Sequence, residues 1–499
     1  MTSVGEAVGT ITRVRIVGPG SELLPTDGPF DVFLDGGVIA DIAPAGALAA
    51  RGIVVDGDGG TLIPGLWDHH VHVMQWALVS QRAPLGSATS AAHAASLMAD
   101  APIVEGRRIG TGFRDAFWAD EPTLELLDAA TGETPTYLVN ADVHSVWLNS
   151  AALRREGHPL DGAGLLREEP AFEISRRLNL VDPLTGDRLV HEMARDAASR
   201  GVVGLVDLDM AWNEDAWARR TRAGFDTLRV EFGMYPEHLD RALAEGLRTG
   251  EIARGAASDL ARVGSLKVIT DGSLGTRTAA CSHPYPGDPH NHGLLTVGPA
   301  ALVDLMTRAT GGGLSCAIHA IGDVANSYAL DAYAVTGAVG TIEHAQLVAH
   351  ADIPRFGRLG VAASVQPEHA IDDRDLTDTI WADQTAMPYP LAALAATGAN
   401  LLLGSDAPVS PLDPWAALAA AVHRTRDGRE PWHPDQALDA ATALAASTHG
   451  GSSRPAVIGP GARADLALCA SDPLRAGENE LRSMRVAATL LGGRLTHLA

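Results

Sequence analysis

The sequence predicts an α/β protein built on a (β/α)8 barrel, with a small β-sandwich domain assembled from both chain ends and a lid-like insertion after the first barrel strand. Three observations carry this expectation. Short apolar, β-branched runs alternate with Ala- and Leu-rich stretches through the middle of the chain; alternating apolar and polar residues flank Gly-Gly pairs near both ends; and polar residues gather where the apolar runs stop.

The N-terminal segments "TRVRIVG" and "FDVFLDGGVIADIAP" alternate around Gly36-Gly37, the pattern of an antiparallel hairpin. Near the other end "RVAATLLGGRLTHL" repeats the design around Gly492-Gly493. Each piece is marginal alone, so residues 1–63 and 451–499 are expected to pack as one composite sandwich domain. Residues 64–450 then form an inserted domain. Its continuous apolar runs, such as "GVVGLVDLDM", "SLKVITD", "LSCAIHA" and "NLLLGSDAP", alternate with helical stretches such as "ADIPRFGRL" and "YPLAALAATG". Strands that are apolar throughout belong to a parallel sheet covered on both faces, and this many units favours a closed barrel with functional groups at the strands' C-terminal ends.

Composition narrows the function. A formal net charge of −23 argues against nucleic acid and anionic membrane as partners and says nothing finer about the substrate, which is expected to be a small molecule. The three cysteines, Cys281, Cys316 and Cys469, are too few and scattered for a disulfide framework, which suits a reducing compartment. The opening "MTSVGEAVGTITRV" lacks a charged leader and an apolar core, so a soluble cytoplasmic protein is expected. The prevalence of symmetric pairs makes a homodimer the default assembly.

The chemistry starts in "GLWDHHVHV", where Asp68, His70 and His72 are spaced by two. Alternate residues of a strand share a face, so His70 and His72 can address one metal ion, while His69 points away as a packing residue. Taken alone, such a pair is more often incidental. Four further residues end later apolar runs: Lys267, His319, His344 and Asp406. From Lys267 to His319 is 52 residues, to His344 a further 25 and to Asp406 a further 62. At about 30 residues per β/α unit these intervals suit strands four, five, six and eight.

Imidazoles and a carboxylate are the donors of a zinc-like binuclear site, in which two close dications need a bridging anion. Of the 38 basic side chains Lys267 is the single lysine. An amine that has captured carbon dioxide becomes a carbamate able to bridge two metals, and arginine cannot do this. The bland reading, that a coding bias toward arginine left one survivor, stands beside it.

Several stretches together resemble the metal-dependent amidohydrolase superfamily, and within it the amidohydrolase 3 group that includes N-substituted formamide deformylases. They are "DVHSVWLNSAAL", "LKVITDGSLGTRTAA", "AIHAIGDVAN", "TIEHAQLV", "SVQPEH", "LLLGSDAPV" and "IGPGARADLAL". The resemblance spans nearly the whole chain. It implies that His70, His72 and Asp406 bind one divalent metal ion, that carboxylated Lys267 bridges, and that His319 and His344 bind the second, zinc being the expected metal. It also implies a metal-bound hydroxide attacking a substrate carbonyl, with catalytic Asp406 moving the proton to the leaving nitrogen. Asp406 also reads as a plain ligand or a helix cap, and His319 as a core histidine.

At "GTGFRDAFW" the chain carries Phe113 where that group's pattern would have Trp, so Phe113 reads either as a substrate-pocket residue or as a core aromatic. From His72 to Lys267 is 195 residues, against about 90 for three barrel units. The surplus places an insertion at roughly 78–175, a candidate lid. His144 within it reads as a substrate contact or as a surface residue. Asp271 and Arg277 follow Lys267 on the same loop, Arg277 as a grip for a substrate anion or as one half of an ion pair. Gln366 and His369 at the end of strand seven complete the candidate substrate residues. The activity these residues describe is hydrolysis of a non-peptide C–N bond in a small amide, formamide or cyclic amide. Ester hydrolysis, decarboxylation or isomerisation would use the same barrel, and a non-catalytic scaffold would have no need of all six ligands.

Overall fold

A computed structural model describes residues 3–21, 24, 28–115, 118–140, 145–160, 162–167, 169–448 and 454–499. The chain divides into two compact units, one made of Met1–Val73 and His191–Ala499, the other of Met74–Val190.

The first unit holds a sheet to which both ends contribute. Strand Val8–Ile16 pairs with Phe30–Asp35, which turns back as Val38–Pro44. The turn is Gly36-Gly37, with φ of 56° and 83°, and the same device joins Val486–Leu491 to Arg494–Leu498 through Gly492-Gly493, at 55° and 74°. Consecutive positive φ values match the twist of a two-residue hairpin and carry no steric cost in glycine. Thr61–Pro64 lies parallel to the end of Val8–Ile16 and antiparallel to Leu466–Cys469, so the two ends of the chain meet across this strand. Ile11, Val32, Leu62, Leu466, Leu490 and Leu495 fill the core between them. Each such side chain contributes about 1.5–3 kcal/mol on leaving water.

A single residue, Gly65, separates Thr61–Pro64 from the first barrel strand. The barrel strands are β1 (Leu66–Val71), β2 (Val202–Asp207), β3 (Arg229–Met234), β4 (Ala261–Ile269), β5 (Cys316–Ala320), β6 (Gly340–His344), β7 (Ala362–Val365) and β8 (Leu401–Leu403). They form one parallel sheet in that order. Every residue of β1 is buried, as expected for a strand covered on both faces. The seam between β1 and β8 closes just beyond the strands: His72 N donates to Ala407 O at 2.9 Å and Asp406 N donates to His70 O at 2.8 Å. Helices 299–311, 323–336, 353–359 and 391–396 are among the crossovers, so the α/β barrel expected from the sequence is the fold observed. The sheet built from the ends and the barrel fall within the same unit. Among the described residues no helix is long and apolar enough to cross a membrane. Cys281, Cys316 and Cys469 are all buried free thiols.

The second unit interrupts the chain between β1 and β2, spanning 74–190 where the sequence suggested 78–175. Its five-stranded sheet runs in the order Leu165–Arg167, Ser145–Leu148, Thr136–Asn140, Arg108–Phe113, Ala83–Pro84. Leu85, Met98, Phe113, Leu127, Leu138 and Trp147 form one face of its core.

Barrel closeness gives a direct test. Gly340 opens β6 opposite Cys316 with φ 146°, and a Cβ there would sit 1.8 Å from Cys316 O. Gly340→Ala is expected to destabilise the protein by about 3 kcal/mol, read as a lowered denaturant midpoint. An unchanged midpoint would show that β5 and β6 have room to part.

Candidate active site

The site is assembled where β1, β4, β6 and the segment after β8 end. On β1, Asp68 and His70 share a face, and Asp68 Oδ1 accepts from His70 N at 3.1 Å and from Ser405 N at 2.9 Å. This one carboxylate ties the end of β1 to the end of β8. His69 faces the other way and donates from Nδ1 to Leu403 O at 2.8 Å. At the strand ends His344, Ala345 and Asp406 hold φ of 75°, 42° and 56°, the left-handed region that side chains normally avoid. Three such residues in one place indicate a backbone bent to aim side chains.

Asp406 is the hub. Its Oδ1 lies 3.2 Å from His72 Nε2 and 3.5 Å from His70 Nε2. The donor atoms of His70, His72 and Asp406 lie within 4.8 Å of one another, and so do those of His344, His369 and Asp406. Lys267 Nζ sits 3.4 Å from His70 Nε2, fully enclosed. The His319 ring is centred 4.6 Å from that of His344, and its Nε2 lies 3.4 Å from Asp271 Oδ1. Thus the structure gathers His70, His72, His344, Lys267 and Asp406, adds His369 to the second cluster, and turns His319 toward Asp271.

A second layer fixes the rings. His70 Nδ1 donates to Glu343 Oε2 at 2.6 Å, and Glu343 in turn accepts from the Thr341 hydroxyl. His344 Nδ1 donates to Gln366 Oε1 at 2.8 Å. His369 Nδ1 lies 3.4 Å from Gln346 Nε2; turning that amide over would bring Gln346 Oε1, which has no hydrogen-bond partner among the described residues, against the ring N–H. With Nδ1 of His70 and His344 occupied in this way, their Nε2 atoms are left for the centre.

Burial and neighbouring charge set the protonation states. Burial, with help from Lys267, brings His70 down to about 4, and burial with the nearby His319 and His70 holds His344 well below the usual imidazole range. Burial works to raise Asp406, but His70, His72 and His344 outweigh it and keep the carboxyl ionised. Glu343 behaves alike: burial opposes ionisation, yet His70 and Lys267 bring it to about 2. Burial lowers Lys267 toward the neutral amine. Burial raises Asp68 to about 6.

His70 and His344 are thus held neutral, whereas the Asp406 carboxylate, working against burial, raises His72 and favours its protonated form; a divalent cation at the centre would take the place of that proton. Asp406 Oδ1, His72 Nδ1 and His369 Nε2 are buried with no hydrogen-bond partner among the described residues. Leaving such atoms unsatisfied costs about 1–3 kcal/mol each, a cost that coordination would offset at Asp406 Oδ1 and His369 Nε2. The donor set therefore fits metal ions.

The other residues singled out in the sequence lie as follows. Gln366 orients His344, as above. Asp271 accepts three backbone N–H groups, from Ala280 at 3.0 Å, Gly322 at 2.8 Å and Ile321 at 3.1 Å, so it pins the loops after β4 and β5. Arg277 is exposed, with a long contact to Pro286 O. Phe113 is fully buried in the second unit's core, stacked on Trp118 at 5.4 Å. His144 lies outside the described residues. Strand alternation puts Glu343 opposite His344, so residue spacing alone gives it no place in the site. The left-handed turn at His344 breaks the alternation, so both serve one site. An acidic residue beside a candidate ligand at a strand end was the available signal.

A parallel eight-stranded barrel with histidine–aspartate clusters at its strand ends is the arrangement of a barrel enzyme suited to metal-dependent chemistry. The profile of the Amidohydrolase family matches residues 53–497, and the chain belongs to that family and is a hydrolase. Relatives include the protein LONG AFTER FAR-RED 3 of Arabidopsis thaliana, 29% identical over 89% of this chain and 84% of that one. An N-substituted formamide deformylase of Arthrobacter pascens is 25% identical over 93% of this chain and 94% of its own. Among solved structures, an uncharacterized metal-dependent hydrolase from Pyrococcus horikoshii OT3 superposes with a TM-score of 0.80, at 25% identity over 94% of this chain and 99% of that one.

Replacing Glu343 by Gln removes the charge that holds the His70 ring. Metal affinity is expected to fall about 10–100-fold, measured by competition with a chelator. Equal affinities would mean that His70 is held by packing alone.

Proposed function

We propose that the chain hydrolyses a non-peptide C–N bond of a small molecule, an amide, formamide or cyclic amide. The observation that carries this reading is Asp406: buried, ionised, common to both ligand clusters, and with Oδ1 accepting no hydrogen bond among the described residues. The likeness to an N-substituted formamide deformylase supports the choice of bond.

Two divalent ions, zinc by the donor chemistry, are proposed to be held by His70, His72, His344 and Asp406, with His369 or His319 completing the second set. When bound, they would polarise the substrate carbonyl and make water acidic enough to ionise near neutral pH. Asp406 accepts the proton of the attacking water on a carboxylate oxygen and returns it to the leaving nitrogen as the C–N bond breaks, so that water and amide yield an acid and an amine. Glu343 and Gln366 keep the His70 and His344 rings aimed while this happens.

Lys267 is proposed to carry a carbamate, formed when its neutral amine adds to carbon dioxide and releases one proton. Its support is placement. Among the described residues no carboxylate lies within ion-pair distance of Nζ, and its single polar contact is His70 Nε2. The buried free thiols and the acidic charge balance support a cytoplasmic location.

Two measurements test the reading. Elemental analysis of protein purified with bicarbonate should find about two metal ions per chain, and one or fewer in Lys267→Arg; an unchanged content would remove the bridge. Acid release, followed by pH-stat, from a panel of N-substituted formamides, cyclic amides and matched esters should favour the C–N substrates. Asp406→Asn should lower kcat/KM by a factor of about 10²–10⁴. Turnover of the esters alone would replace the C–N assignment with ester hydrolysis.

A further inference from the structure

The second unit contains a cavity of about 430 Å³ that the hydrolytic site does not use. Its walls are apolar, from Leu78, Ile109, Leu178, Val181 and Leu189, and its rim carries Ile103 and Val104, which are 55% and 41% exposed. Into this apolar lining the chain brings three arginines, Arg82, Arg107 and Arg188, against one carboxylate, Glu105.

Arg82 is the informative one. Its guanidinium offers five N–H donors, and the acceptor it meets is Asn179 Oδ1 at 2.6 Å. Among the described residues no carboxylate lies within 4.0 Å of it, and that amide is the acceptor it meets in place of an ion-pair partner. Glu105 lies 3.6 Å from Arg107 instead, and is itself half exposed. Burial lowers the Arg82 pKa to about 10, and the positive charge of Arg107 adds to the effect. Two like charges held in a pocket with low-dielectric walls focus a positive potential into it. A planar, forked donor is the group that pairs with a carboxylate through two parallel hydrogen bonds. The volume lies in the range of small-molecule pockets, and too much of the lining is apolar for a bare inorganic anion to fill.

We propose that this cavity binds an amphipathic carboxylate, its head between Arg82 and Arg107 and its alkyl or aryl tail along Leu78, Ile109, Leu178 and Leu189. Charge selects the head and apolar area supplies the affinity of the tail. The site would make the second unit a ligand-binding module in its own right, independent of the substrate at the barrel.

The test is calorimetric titration of the full-length protein with octanoate, acetate and inorganic phosphate. Octanoate should bind with a Kd below 1 mM on the order of other small amphiphile sites, and at least about tenfold more tightly than either tail-less anion. Arg82→Met and Arg107→Met should each weaken octanoate about tenfold or more. Ile103→Ser, at the exposed rim, should weaken octanoate and leave phosphate unchanged; it and Arg107→Met carry the test if Arg82→Met does not fold by circular dichroism. Asp406→Asn should bind octanoate as the parent does. The proposal is overturned if octanoate binds equally well to both arginine variants, if Asp406→Asn abolishes its binding and so places it at the barrel, or if phosphate binds as tightly as octanoate.

Discussion

The structure depends on the seam where the end of β1 meets the segment after β8. Asp68 Oδ1 draws in one N–H from each side, His70 N and Ser405 N, while Asp406 N and His72 N complete the stitch with main-chain bonds. The same few residues close the barrel and carry the ligands, so barrel integrity and site geometry are one constraint. A carboxylate in this position is costly, since burial raises Asp68 to about 6, and the Ser405 side chain together with the Ser405 and His70 backbone N–H groups offsets part of that cost. Gly404, beside Ser405, has no space for a side chain: a Cβ would sit 2.9 Å from His70 N and 3.0 Å from Asp68 Oδ1.

From the seam outward, charge is arranged in shells of alternating character. Asp406 is ionised at the centre, His70 and His344 stand beside it as neutral imidazoles, and behind them stand an ionised glutamate on His70 and a neutral amide on His344. An anionic partner strengthens His70 as a donor, whereas an amide leaves His344 weaker. The two halves of the site are thereby made electronically unequal, although both consist of imidazole and a shared carboxylate. Asp271, three backbone bonds deep in the loops after β4 and β5, gives His319 a neighbour that is itself immovable.

Most of the fold was legible because parallel barrel strands are apolar on both faces and announce themselves as runs. The residues that end those runs stand where the spacing put them, Lys267 in β4, His319 in β5, His344 closing β6 and Asp406 after β8. What escaped depends on backbone turns that residue types do not reveal. The left-handed His344 brings Glu343 behind His70, and the short helix 367–372 after β7 brings His369 toward Asp406. Phe113 sits in a core that a single departure from a motif could not distinguish from a pocket. The cavity of the second unit draws its lining from three separate stretches, 78–82, 102–109 and 178–189, and no local pattern marks such an assembly.

The sheet shared by the two ends has a consequence for how the protein is made. Thr61–Pro64 must pair with Leu466–Cys469, and Val8–Ile16 shares its core with Leu490 and Leu495. At about 5–20 residues per second, a ribosome needs on the order of 20 to 80 s to travel from residue 64 to residue 466. Throughout that interval the N-terminal hairpin waits with an open edge, the kind of surface that nascent chains on neighbouring ribosomes can join. Synthesis rate and chaperone cover during that wait therefore bear on the yield of folded protein, beside the stability of the finished barrel.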